Sequence, residues 1–258
     1  MSPYADISYR TDGPVARITV ERPDKLNAYR DQTADELFAA FRTAERDASV
    51  RAVILSGAGR AFGAGYDLSV IEPDSVPELD RVLEVHFNPL IRLMRASSLP
   101  IVCQVNGPCA GAAVGVALAG DVVIAARSAY FYEPFVGIAL VPDAGNTLFL
   151  PRIAGRIRAA PAMLLGDRVS AEEALSWGLV WRVYDDAALA GEADAIARRL
   201  AERAPEAVAA TKRLIMAASD AGLEAHLGLE RDLQGVAGRS PAMKAEIAAF
   251  FAKRGRGG

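Results

Sequence analysis

One acid stands alone in an apolar run. Residues 136–151 read VGIALVPDAGNTLFLP, and Asp143 is the single ionisable side chain among them. A carboxylate in such surroundings is costly to keep charged unless something pairs with it. Burial raises its pKa and makes it a better base for a carbon acid. Pro142, Asp143, Ala144 and Gly145 are also good turn residues, and Asp is a common helix N-cap, so the local sequence leaves both readings open. Two other segments could hold a negative charge. AVILSGAGRAFGAGYDLS (52–69) and IVCQVNGPCAGAAVGVALA (101–119) each run from a buried strand into a glycine-rich turn. Small residues let a ligand approach the backbone. Two unpaired N–H groups aimed at one point, as at a helix start, make an oxyanion hole. Tight turns and close helix–sheet packing explain either segment alone equally well.

Other chemistries find little support. Gly57 and Gly59 open a near-dinucleotide pattern, but Phe62 stands where the third glycine belongs. No G-x-S-x-G, P-loop or H-E-x-x-H motif occurs. The two histidines, His86 and His226, are far apart and read as surface or packed imidazoles, and no metal site is expected. A net charge of −3 points to neither nucleic acid nor an anionic membrane surface. Cys103 and Cys109 lie in apolar or glycine-rich context and suit a reducing compartment. With no apolar leader and no 18-residue apolar run, the expectation is a soluble cytoplasmic protein.

The elements that must position these residues follow from the pattern. VARITVER (15–22), RAVILSG (51–57), LPIVCQVNG (99–107) and DVVIAA (121–126) read as strands, with AYFYEP (129–134) as a further one. Helical spacing covers residues 31–46, about 78–96, and a small-residue segment at about 111–119. After Pro151 the chain turns mostly helical, broken by the strand-like LVWRVY (179–184). The 258 residues, 52% of them hydrophobic, are enough for a sizeable core. Continuous apolar strands imply a sheet covered on both faces. The reading is an α/β core over 1–190 and a helical region over 191–258, with the basic end AKRGRGG as a frayed tail.

Taken together, ERPDKLNAY, LSGAGRAFGAGYDLS, VNGPCAGAAVG, DVVIAARSAYF, PDAGNTLFLPRIAG and ALSWGLVWRVY resemble, in order and spacing, the enoyl-CoA hydratase/isomerase (crotonase) superfamily. The resemblance spans residues 7–253. It implies a spiral of ββα units, with C-terminal helices that build a homotrimer or a dimer of trimers. It implies an acyl-CoA substrate and no cofactor beyond the coenzyme A of the thioester. The thioester oxygen would be held by the backbone N–H groups of Tyr66 and Ala112. Coenzyme A would lie along Lys25, Leu26, Ala28 and Ala64, and its nucleotide end would meet Phe250 and Lys253 of a neighbouring subunit. Hydratases of this family use two glutamates, but the matching positions here are Gly115 and Phe135. Asp143 falls where isomerase and dehalogenase branches carry an aspartate. The resemblance therefore implies an acyl-CoA isomerase with Asp143 as proton shuttle and Phe135 and Gly115 at the acyl pocket. Rival readings are a hydratase with acids recruited from Glu84 or Glu133, and an acyl-CoA binder without catalysis. Glu133 shares a strand face with Phe135 and otherwise reads as a surface glutamate.

Overall fold

The computed structural model describes residues 4–70 and 77–254. An antiparallel pair opens the chain, β1 (Ile7–Asp12) and β2 (Val15–Val20). Helix α1 (Asp31–Arg46) buries Leu37, Phe41 and Ala44, the stripe its spacing predicts. Strand β3 (Ala52–Gly57) follows. Helix α2 (Leu79–Val82) then runs through a π turn (Leu83–Phe87) into α3 (Asn88–Ala96). Next come β4 (Ile101–Val105), the two-residue β5 (Cys109–Ala110), α4 (Ala112–Leu118), β6 (Val122–Ala126) and β7 (Tyr130–Tyr132). The remainder is α5 (Asn146–Ala154), α6 (Arg156–Leu164), β8 (Val169–Ser170), α7 (Ala171–Trp177) and β9 (Arg182–Tyr184), then helices α8 (Leu189–Ala201), α9 (Pro205–Ala217), α10 (Leu223–Ala237) and α11 (Pro241–Arg254).

Two sheets carry the site. The larger has strand order β1-β2-β3-β4-β6-β9, parallel from β2 onward. The smaller has order β5-β7-β8. Most residues of β3, β4 and β6 are buried, as strands covered on both faces require. Both cysteines are free and buried. No described helix is long and apolar enough to cross a membrane.

Several expectations change in detail. The AYFYEP strand belongs to the small sheet and not to the main one. Strand β1 was not read from sequence, because ISYRTD is half-exposed and polar at an edge. The helical region begins before Pro151, which lies inside α5. The boundary expected at 190–191 falls within α8, whose Leu189, Ala193, Ile196 and Ala197 are buried against the main sheet. The chain leaves the core after that helix. Helix α9 is tied back by the buried Lys212, whose Nζ donates to Asp121 Oδ2 and Leu99 O, both at 2.6 Å. Helix α10 has no buried residue and packs on α9.

Candidate functional site

The two glycine-rich segments meet. Phe62 and Gly63 N–H both donate to Pro108 O, at 3.0 and 3.2 Å, and Ala110 N–H donates to Gly63 O at 2.8 Å. Beyond these bonds Gly65 and Gly111 touch. A Cβ built on Gly65 would stand 3.1 Å from Ala110 O and 3.4 Å from Gly111 Cα. Both residues have positive φ, +86° and +55°, a conformation open to glycine at little cost. The residues that follow are Tyr66 and Ala112. Among the described residues neither N–H donates to another backbone group in the loops and caps, and Ala112 opens α4, where an N–H has no acceptor within the helix. A third segment runs alongside: Tyr29 N–H donates to Gly65 O and Asp67 N–H to Tyr29 O, both at 2.7 Å.

These loops wall a cavity of about 110 Å³. Leu79 and Val82 of α2, Leu83 and Phe87 of the π turn, and Phe135, Ile138 and Leu140 after β7 close it with apolar surface. Ala64, Tyr66, Ala112 and Asp143 also line it, and among the described residues Asp143 is the one carboxylate that does. Two N–H groups on the wall of an apolar cavity can hold a developing negative charge, and a carboxylate across from them can take the proton that creates it. A wider groove of about 1410 Å³ borders α3, α5 and α9, and none of Tyr66, Ala112 or Asp143 lines it.

The geometry distinguishes the readings of Asp143. The residue before α5 is Gly145, and no side chain caps that helix. Among the described residues Asp143 Oδ1 is buried without a hydrogen-bond partner, and burial pushes the carboxyl up to about 6. Its turn is held by Asn146 N–H donating to Asp143 O at 2.9 Å and by Ala144 in the left-handed region at φ +49°. Ala144 packs its carbonyl onto α4. A Cβ on Gly115 would stand 2.2 Å from that oxygen. Gly115 is therefore not among the cavity-lining residues: it makes room for the Asp143 turn. Phe135 does line the cavity, with its ring 3.6 Å from the place of a Gly111 Cβ.

The enoyl-CoA hydratase/isomerase family model matches residues 10–256. The chain belongs to this family. It is 42% identical to the 1,2-epoxyphenylacetyl-CoA isomerase of Escherichia coli over 93% of each chain. It is 39% identical to a probable enoyl-CoA hydratase of Rhodobacter capsulatus, over 97% of this chain and 96% of that one. A solved structure of a putative enoyl-CoA hydratase/isomerase from Mycobacterium abscessus superposes with a TM-score of 0.89 at 35% identity, covering 96% of both chains. The fold is of crotonase type, as the resemblance implied.

Ala28, at 8% exposure, lies next to the 64–66 loop through Tyr29, whereas Lys25 is exposed and Leu26 half-buried in a turn at φ +51°. Buried Asn27 holds that turn with Nδ2 bonds to Ala58 O and Ala61 O at 2.8 and 2.6 Å. Phe250 is on α11, edge-on to Phe251, and does not line the cavity within this chain. The Lys253 side chain lies outside the described residues. Glu84 is exposed, bonded to Arg92 and Asn88, and held below the usual carboxylate range by them. It does not line the cavity. Glu133 is no surface residue: it is 3% exposed, and burial, then the Asp143 charge, push it to about 9. His86 bridges Asp31 and Asp35, and His226 pairs with Glu230. Sequence reasoning missed Asn146, fully buried, whose Nδ2 donates to Gly111 O at 3.0 Å and ties the Asp143 turn to the N–H pair. A polar residue at the start of a largely apolar helix, just after the turn, was the available signal.

Proposed function

We propose that the chain shifts a double bond in a compact enoyl- or ring-acyl-CoA thioester through an enolate, with Asp143 as the proton shuttle. The observation that carries this is Asp143 standing, among the described residues, as the one carboxylate on an apolar cavity shared with Tyr66 and Ala112. The thioester oxygen accepts the Tyr66 and Ala112 N–H groups. Asp143 takes a proton from the carbon next to the carbonyl, charge gathers on the oxygen, and the protonated Asp143 returns the proton to a different carbon. One base used twice is the minimum for an isomerisation. The cavity of about 110 Å³ favours a small acyl group over a long chain.

Hydration is the weaker reading. It needs groups to activate water and to protonate carbon, and a glutamate at 115 meets the Ala144 carbonyl. Coenzyme A runs along Lys25, Leu26, Ala28 and Ala64, and its nucleotide end meets Phe250 and Lys253 of a neighbouring subunit. The exposed Leu223, Leu227, Val236, Ile247 and Phe251 of the last helices support assembly into a trimer or a dimer of trimers.

A panel of acyl-CoA thioesters incubated in deuterated water tests the reading. Deuterium should enter the acyl group with no gain of water mass, and only with Asp143 intact. Loss of the conjugated-thioester absorbance with a gain of water mass would make it a hydratase, and binding without exchange would make it a non-catalytic acyl-CoA binder.

A further inference from the structure

A second buried acid lies behind the cavity. Glu133 follows β7, between Tyr132, whose carbonyl accepts Gly111 N–H at 2.9 Å, and Pro134 and Phe135, which line the cavity. Strand alternation puts its side chain on the same face as buried Phe131, the register partner of Cys109. Both carboxyl oxygens of Glu133 are buried without a partner, as are Asp143 Oδ1 and Asn146 Oδ1. Asn146 Nδ2 is committed to Gly111 O. The region thus holds four buried acceptor atoms and no cation paired to Glu133 among the described residues. Cys109 of β5 and Asp143 are the ionisable groups coupled to Glu133. Arg168 sits over the rings of Tyr130 and Tyr132, which alternate to the opposite face. Buried acceptors need donors, and a protonated Glu133 brings one to this site.

We propose that Glu133 is a positioning residue for Asp143: a carboxylic acid that keeps its proton and donates it as a hydrogen bond, through one bridging water, to Asp143 Oδ1, turning the other oxygen toward the substrate. The proposal rests on the reading of Asp143 as the base. The two acids divide the work by environment. Asp143 ionises near 6 and Glu133 near 9, so between those values the pair carries one proton and one charge.

Two substitutions separate this role from packing. Glu133→Gln keeps the shape and an N–H donor, and Glu133→Met keeps the volume and removes the donor. Near neutral pH the Gln variant should turn over within a few-fold of the parent. The Met variant should lose roughly 10- to 100-fold in kcat at unchanged KM, the effect of removing a hydrogen bond to a charged group. Parent turnover should fall above pH 9 as Glu133 surrenders its proton, and the Gln variant should lack that fall. Infrared difference spectra between parent and Gln variant should contain the carbonyl band of a protonated carboxylic acid at neutral pH, a readout independent of turnover. Thermal melting gives another. Folded Glu133 holds its proton to about 9 while an unfolded glutamate releases it near 4.5, so the folded chain binds more protons in that window and its stability falls as pH rises. Glu133→Gln should flatten that slope. Absence of the band, or a Met variant as active as the parent beside an inactive Asp143→Asn, overturns the proposal alone. An active Asp143→Asn overturns the reading of the base on which it rests.

Discussion

Asp143 gains its chemistry from what is missing around it. Its Oδ1 has no partner, no cap is made, and the walls of the cavity are apolar. Asp143→Asn keeps the size and the turn, so turnover should drop by about 10²–10⁴-fold, the usual share of a general base, with little change in melting temperature. In the proposed role Asp143 works ionised. Parent kcat/KM should therefore rise with pH through about 6 and be lost below it, and a pH–rate profile checks this. The lone acid in an apolar run was legible from sequence, because hydropathy contrast is a local property. The neighbouring Glu133 was not: a strand end gives no sign of whether its next residue turns inward, and its burial, to 3% exposure, depends on segments arriving from elsewhere in the chain.

Elements decide which acids the site can hold. Helix α4 and the turn before α5 are in close contact at Gly115 and Ala144, so the missing side chain on one admits the Asp143 turn beside the other. Gly115→Ala places a Cβ where the Ala144 carbonyl lies. The overpacking should cost about 1–3 kcal/mol and displace Asp143, and melting curves with parallel turnover assays should show both losses together. The identity of residue 115 was plain in the sequence, but its role there was not. Spacing marks the position, while only the arrival of residue 144 in three dimensions explains why glycine occupies it. The elements were legible where apolar periodicity was strong, as in β3, β4, β6 and α1. They were least so at the half-exposed edge strand β1 and in the π turn, whose Leu83 and Phe87 face a cavity. A separate contact ties the C-terminal region to the core. Lys212→Ala removes the donor to Asp121 and Leu99 and should lower stability by roughly 1–3 kcal/mol, read as a lower melting temperature with kcat unchanged.

At the scale of the molecule, the core and the last two helices differ in kind. Helices α8 and α9 are anchored by buried alanines and Lys212, whereas α10 buries nothing and α11 exposes Ile247, Phe250 and Phe251. The apolar residues of this region were legible, but the surface they cover in the proposed assembly was not. Sedimentation at micromolar concentration should give a trimer or hexamer, and a stable monomer would overturn the assembly proposed above. The exposed last helix has a kinetic corollary. If its Phe250 completes the nucleotide end of a neighbour's site, working sites exist only where chains have met, and their number follows mass action. Activity per milligram should then be constant in concentrated stocks and decline with serial dilution, recovering when the sample is reconcentrated. A dilution series read at saturating substrate would measure the association constant by turnover alone.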